Sequence, residues 1–177
     1  FITVAGEDFQ ALTVASTLSD VMVIDRPAVI EESIRDYLSH AAPQTGSRDI
    51  LRAIDAVGLG PVVAALPDGL DTVVASTGWP LDIVDTVRLR MAAAILARPS
   101  ALVLSRLFDM FSREELRTMI EAVDESCIVL SLSARQPDTW LRGWLHLGRR
   151  RQTIVQERGQ LDRLMDDDRE AENALPA

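Results

Sequence analysis

Two short apolar runs separated by a helical segment restrict the fold of this chain most strongly. Residues 101–104 read "ALVL", and residues 127–132 read "CIVLSL". Between them, Ser112 and Glu115 form a capping-box pattern at the start of the segment "REELRTMIEAV". A buried strand, a helix and a second buried strand in this order predict an α/β fold, in which helices flank a parallel sheet.

The remaining segments extend this pattern in both directions. Further strands are predicted in "FITVA" (1–5) and at residues 21–24, and the pattern turns helical from Glu31. Ser47 is predicted to cap a second helix. A long helix is predicted over residues 81–97, and "WLHLG" and "QTIVQER" are predicted to form an antiparallel hairpin. The stripe expected to face the core of the long helix consists of Val84, Val87, Met91 and Ile95.

Composition excludes several classes of function. The 177 residues suit one domain, and with 47% hydrophobic but only 5% aromatic residues its core must consist mainly of aliphatic side chains. The net charge of −9, without a basic cluster, argues against nucleic acid as a partner. All 18 basic residues are arginine, which excludes a phosphate loop ending in Gly-Lys-Ser/Thr. The single Cys127 excludes a disulfide within the chain.

A resemblance to a known family rests on three segments. "LPDGLDTVVASTGWPL", residues 66–81, resembles the stretch that leads into the signature motif in the nucleotide-binding domains of exporter-type ABC transporters. Residues 1–38 resemble the region around the Q-loop, and residues 88–112 the signature helix, the Walker B strand and the D-loop. The resemblance covers about residues 1–165. It implies a P-loop NTPase-like parallel sheet with an inserted α-helical subdomain at about residues 31–80, and it would place the first strands and the phosphate loop before Phe1.

The positions that approach a phosphate in this family carry unsuitable side chains here. Asp25 stands at the position of the Q-loop glutamine. In the signature motif, Ile83 and Val84 would block the backbone approach that glycines allow, and Asp82 and Asp85 would repel an anion. The five signature positions of the family correspond here to Leu81, Asp82, Ile83, Val84 and Asp85.

The positions that carry hydrolysis in the family are also changed. Ser105 and Arg106 replace the Walker B aspartate, which assists Mg²⁺, and the glutamate, which orients the attacking water. A permanently cationic arginine cannot act as a general base. The D-loop aspartate position carries Ser112. The switch histidine position falls at Ser133 or, with a slip of one residue, at Ala134, and neither side chain titrates near neutral pH.

The resemblance therefore implies a catalytically degenerate part of an exporter-type ATP-binding domain, with no intact catalytic, nucleotide-binding or metal-binding set. ATP and Mg²⁺ are implied for the intact protein only. The implied partners are the transmembrane domains of the same transporter and a second nucleotide-binding domain, at the cytoplasmic face of the membrane. The alternative hypothesis is a regulatory or scaffold module that keeps the fold without binding nucleotide.

Three further expectations concern the domain boundaries, metal binding and self-association. Residues 1–165 are predicted to form the partial nucleotide-binding domain, and the acidic residues 166–177 to form a disordered tail. His40 and His146 have no other ligand at metal-binding spacing, so no metal site is predicted. An exposed sheet surface is predicted to cause self-association, through residues 1–5 or the strand at 101–104.

Overall fold

The computed structural model describes residues 3–4, 7–8, 21–133, 135, 140–141, 143–147, 152–157, 159–164 and 166. The chain divides into two compact units, residues 1–134 and 135–177. The division into a domain over residues 1–165 and an acidic tail stays a prediction, and nearly all of that tail lies outside the described residues.

The first unit alternates strands with helices. Its strands are β1 (Thr3–Val4), β2 (Glu7–Asp8), β3 (Val21–Ile24), β4 (Glu32–Ser33), β5 (Val73–Val74), β6 (Ala101–Leu104) and β7 (Ile128–Ser131). Its α-helices are α1 (Ile34–Ala41), α2 (Ser47–Ala56), α3 (Gly60–Ala65), α4 (Ile83–Ala97) and α5 (Arg113–Glu121), with short 3₁₀ helices at Gly69–Asp71 and Arg106–Met110. None of the helices among the described residues is long and apolar enough to cross a membrane.

A three-stranded parallel sheet forms the centre of this unit, which confirms the predicted α/β class. The strand order is β3-β6-β7. Val23 pairs with Val103 and Val103 with Leu130, while one residue further along Ile24 pairs with Leu104. Strand β6 is paired on both sides, so it has no free edge in the described sheet, and self-association through residues 101–104 stays a prediction.

The two faces of the sheet differ in burial. Ile24, Leu102 and Leu104 point to the core and are fully buried. On the opposite face, Ile128 is 64% exposed and Leu130 is 47% exposed. The prediction of a buried strand at 127–132 is therefore wrong for this face, because β7 borders the described sheet and only its alternate side chains, Val129 and Ser131, are partly buried. We call the residues of this face the open sheet face: Val21, Val23, Ala101, Val103, Ile128 and Leu130.

Helix boundaries depart from the sequence pattern at two points. Glu32–Ser33 pairs antiparallel with Val73–Val74, so the first helix begins at Ile34 and not at Glu31. Ser33 caps this helix by accepting a hydrogen bond from the N–H of Asp36. Ser47 is the first residue of α2 and Gly46 is its N-cap, so the predicted Ser47 cap is also wrong.

Helix α4 packs against α1, α2 and β3. Side chains on most of its circumference are buried, so the single predicted stripe describes only part of its contacts. Its buried side chains are Thr86, Val87, Leu89, Met91, Ala92, Ala93 and Ala94. The predicted capping box of α5 is confirmed, since Ser112 and Glu115 exchange both of its hydrogen bonds.

The second unit contains the predicted antiparallel hairpin. Strand β8 (Trp144–Leu147) pairs with β9 (Gln152–Val155) in a register that joins Trp144 to Val155. The main chain turns helical again at residues 159–164.

Candidate functional site

The candidate site lies where the parallel strands of the sheet end. Asp25 directly follows β3 and Ser105 directly follows β6. The Ser105 N–H donates to the carbonyl of Ile24 at 3.1 Å, and the Leu132 N–H to that of Leu104 at 2.8 Å. Residues after the carboxyl ends of three adjacent strands are thereby brought together, at the edge where α/β proteins commonly bind ligands.

The residues predicted to stand at the Walker B positions, Ser105 and Arg106, begin a local 3₁₀ helix. The hydroxyl of Ser105 accepts a hydrogen bond from the N–H of Leu107 at 3.3 Å and caps the 3₁₀ helix that follows β6. Arg106 is the first residue of that helix and is exposed. A hydroxyl used as a cap and a guanidinium supply neither a Mg²⁺ ligand nor a base.

Ser133 contacts a carboxylate that the sequence interpretation overlooked. Its hydroxyl donates to Oδ1 of Asp109 at 2.6 Å, which joins the segment after β7 to the 3₁₀ helix after β6. Asp109 follows Ser105 by four residues. The position of Asp109, five residues after the predicted strand at 101–104, could have suggested that it lies near this edge of the sheet.

Asp25 is held by two arginines. Arg26 Nε lies 3.2 Å from the Asp25 carboxylate, and Arg90 Nη1 of α4 lies 3.9 Å from it. The hydrogen bond from Arg26 is the main cause that lowers the pKa of Asp25, so the side chain stays a carboxylate. Arg90 was also missed, although an arginine within the apolar segment "RLRMAAAILA" indicates a charge that needs a partner.

At the start of α4, a carboxylate of the chain itself occupies the place where a helix attracts an anion. Asp82 is the N-cap, and its Oδ1 accepts a hydrogen bond from the N–H of Asp85 at 2.7 Å. The Thr86 hydroxyl donates to the carbonyl of Asp82 at 2.6 Å. Helix N-termini bind phosphates through these free N–H groups, so Asp82 competes with a phosphate by both occupancy and charge.

Arg88 joins the starts of α4 and α5. Its Nη2 lies 2.8 Å from Glu115 Oε1 and its Nη1 lies 3.4 Å from Asp85. The second Glu115 oxygen accepts the N–H of Ser112 at 2.8 Å. The guanidinium carbon also lies 5.7 Å from the centre of the Phe111 ring.

The pKa values of the two carboxyl groups near Arg88 are shifted in opposite directions. Burial, followed by the nearby Asp82, raises the pKa of Asp85, and Arg88 opposes this effect. The hydrogen bonds of Ser112 lower the pKa of Glu115, with a smaller contribution from Arg88. Arg88 therefore favours the charged form of both acids.

The residues at this edge of the sheet and at the start of α4 are not suited to binding Mg²⁺ or ATP. No group of three or more His, Cys, Asp or Glu among the described residues could hold a metal ion. Asp82 occupies the helix N-terminus, and Arg106 follows the central strand of the sheet. We therefore assign no catalytic step to this arrangement.

Known proteins show similarity to this chain over most of its length. An uncharacterized ABC transporter ATP-binding protein of Bacillus subtilis, YwjA, is 25% identical over 125 residues, which cover 70% of this chain and 22% of that protein. Human ATP-binding cassette sub-family B member 6 is 25% identical over 75% of this chain and 15% of its own length. An ATP-dependent lipid A-core flippase of Albidiferax ferrireducens is 26% identical over 69% of this chain and 21% of its own. No family model matches the chain.

A solved structure shows the same fold. A bacterial Atm1-family ABC exporter with ATP bound superposes with a TM-score of 0.75 at 18% identity, over 97% of this chain and 31% of the exporter. The chain thus spans less than a quarter of the length of the three curated relatives. Together these similarities confirm the resemblance to exporter-type ABC transporters.

Proposed function

We propose that this chain, which has the fold of an exporter-type ABC nucleotide-binding domain, has lost ATP hydrolysis and serves coupling or dimerisation in a transporter. The Asp82 carboxylate on the N-terminus of α4 carries the proposal, because it replaces the phosphate that a signature helix would face. Arg106 also supports the loss of hydrolysis, because a permanently cationic side chain after the central strand cannot act as a base toward water.

The partners follow from the same proposal. The transmembrane domains of the same transporter would contact the region from Asp25 to Tyr37 and the helical segment at 31–80. A second nucleotide-binding domain would pair with the edge of the sheet that carries Ser105 and Ser112. ATP would be hydrolysed as its Mg²⁺ complex by residues of that partner, at the cytoplasmic face of a membrane.

Mg-ATP turnover tests the loss of hydrolysis. We expect this chain, and the longest natural polypeptide that contains it, to show no Mg²⁺-dependent ATP turnover when assayed without a second nucleotide-binding domain. Turnover that disappears on Asp25→Ala would contradict the proposal, because Asp25 would then be part of an active site.

The alternative is a scaffold module that never engages nucleotide, and the ion pairs of Asp25 with Arg26 and Arg90 favour it. Thermal unfolding of the same polypeptides with and without Mg-ATP separates the two. A shift in the midpoint, or a dimer that forms only with Mg-ATP, supports the transporter subunit. The same midpoint and the same mass in both conditions support the scaffold.

Self-association is expected to proceed through the open sheet face. Parallel sheets normally bury both faces, so an aliphatic surface of this kind favours contact with other molecules. Replacing Ile128 and Leu130 together with threonine should reduce the mass measured by light scattering at micromolar concentration, since threonine keeps strand propensity. Leu51→Gln on α2 is the matched control, because Leu51 is half exposed outside this face. A monomeric mass for the unaltered chain would contradict the expectation.

A further inference from the structure

Arg90 connects α4 to the end of strand β3 through the main chain. Its guanidinium donates to the carbonyl of Val23 at 3.1 Å and to the carbonyl of Arg26. These two carbonyls lie on either side of Asp25, whose carboxylate is 3.9 Å from Arg90 Nη1. One side chain therefore contacts three of the four residues 23–26, where the chain leaves the sheet.

The burial of Arg90 makes this connection stronger than an ordinary surface contact. Only 15% of its side chain is exposed, although the loop that it holds is largely open to solvent. Hydrogen bonds to a charged donor are stronger than neutral ones, and partial exclusion of water strengthens them further. A mostly buried guanidinium that lost these acceptors would be left without compensation.

The loop that Arg90 holds is mostly exposed to solvent. We define loop 25–31 as the residues between β3 and β4. Val29 is buried, whereas Ile30 is 68% exposed. Tyr37 of α1 follows this loop in the chain. Burial raises the pKa of the Tyr37 hydroxyl, and nearby Arg90 partly counteracts this rise. Arg90 thus stands where β3, loop 25–31, α1 and α4 meet.

We propose that Arg90 is a latch that fixes loop 25–31 to α4, so that the loop and the helix move as one body without nucleotide. This inference rests on the proposed function in one respect only: the proposed function supplies the transmembrane domain that would contact the loop. A force applied to the loop would pass through Arg90 into α4. From α4 it would pass through Arg88 and Glu115 to the N-cap Ser112 of α5.

Spin labelling of the loop tests the latch. With Cys127 replaced by serine, a nitroxide is attached at Ile30→Cys, and spectra are compared for Arg90 and Arg90→Met. We expect the nitroxide at position 30 to tumble at least about twofold faster in Arg90→Met, because the loop then moves on the nanosecond timescale. A nitroxide at Leu51→Cys on α2 should keep its spectrum. Identical spectra at position 30 would overturn the proposal.

A second variant covers the case in which Arg90→Met does not fold, shown by faster tumbling at both labels. Arg90→Lys keeps the charge but offers a single nitrogen, which cannot span the carbonyls of Val23 and Arg26 in the same way. Faster tumbling at position 30 alone then supports the latch, and an unchanged spectrum overturns it. Neither spectrum depends on a partner. A fixed loop in a chain that binds no transporter domain would therefore sink only the proposed function.

Discussion

Replacing Gly78 with alanine should destabilise the unit of residues 1–134 by about 3 kcal/mol. Gly78 has φ of +101°, a conformation that side-chain-bearing residues rarely adopt. A Cβ at this position would lie 2.3 Å from the Thr86 hydroxyl oxygen and 3.3 Å from the Thr86 Cβ. Thr86 cannot easily yield, since it is buried and its hydroxyl donates to the carbonyl of Asp82. The substitution thus combines backbone strain with a clash at the start of α4.

Urea unfolding monitored by circular dichroism measures this loss. Gly46→Ala is the matched control, because Gly46 has φ of −80° and no atom within 4 Å of an added Cβ. As an N-cap change from glycine it should cost less than about 1 kcal/mol. In a Thr86→Ala background, Gly78→Ala should cost less than in the unaltered chain, because the closest atom is removed. Equal losses for Gly78→Ala and Gly46→Ala would show that the left-handed turn is not required.

Local signals in the sequence were sufficient for the main elements of the fold. The capping box of Ser112 and Glu115 acts over three residues, and the structure contains both of its hydrogen bonds. The strand at 101–104 is a continuous aliphatic run and the strand at 128–131 begins with three aliphatic residues, which is typical of parallel strands. In both cases the information lies within one segment of the chain, so no knowledge of the tertiary structure is needed.

Features that depend on distant segments could not be predicted in the same way. The two-residue strand β4 forms only because Val73 and Val74 approach it from forty residues further along. Exposure of Ile128 and Leu130 depends on what covers the sheet, and their apolar character predicts burial instead. Both failures arise because a periodic pattern describes which side chains prefer the core, not which neighbours reach them.

In the candidate site, too, the sequence predicted positions along the chain but not the contacts between distant residues. The resemblance assigned family positions to Asp25, Ser105 and Ser112, and these assignments stay predictions. Their contacts could not be anticipated, because Arg90 reaches Asp25 across 65 positions of sequence and Ser133 reaches Asp109 across 24. Charged side chains in apolar segments are the signal that would have suggested such pairs.

Replacing Arg88 with methionine should destabilise the same unit by about 2 kcal/mol at pH 7, because two carboxylates lose their shared cation. Arg88 and Asp85 are each less than one-fifth exposed, whereas Glu115 is more open to solvent, so the loss should fall below that of a fully buried pair. Arg52→Met is the matched control. Its pair with Asp49 has the same spacing along a helix but is more than half exposed, and its loss should stay below about 0.5 kcal/mol.

The pH dependence of this loss identifies its cause. The raised pKa of Asp85 means that the folded state holds a proton more tightly than the unfolded state. Its contribution to stability is therefore full below the ordinary value near 3.8 and is lost as the pH rises through the folded pKa. Removing Arg88 raises the pKa of Asp85 further and also that of Glu115, so the cost of Arg88→Met should be largest at pH 7 and shrink at about pH 4. Urea unfolding at both pH values, with and without Asp85→Asn, measures this change. A loss that is equal at both pH values would show that Arg88 stabilises the unit by packing on Phe111, not by its charge.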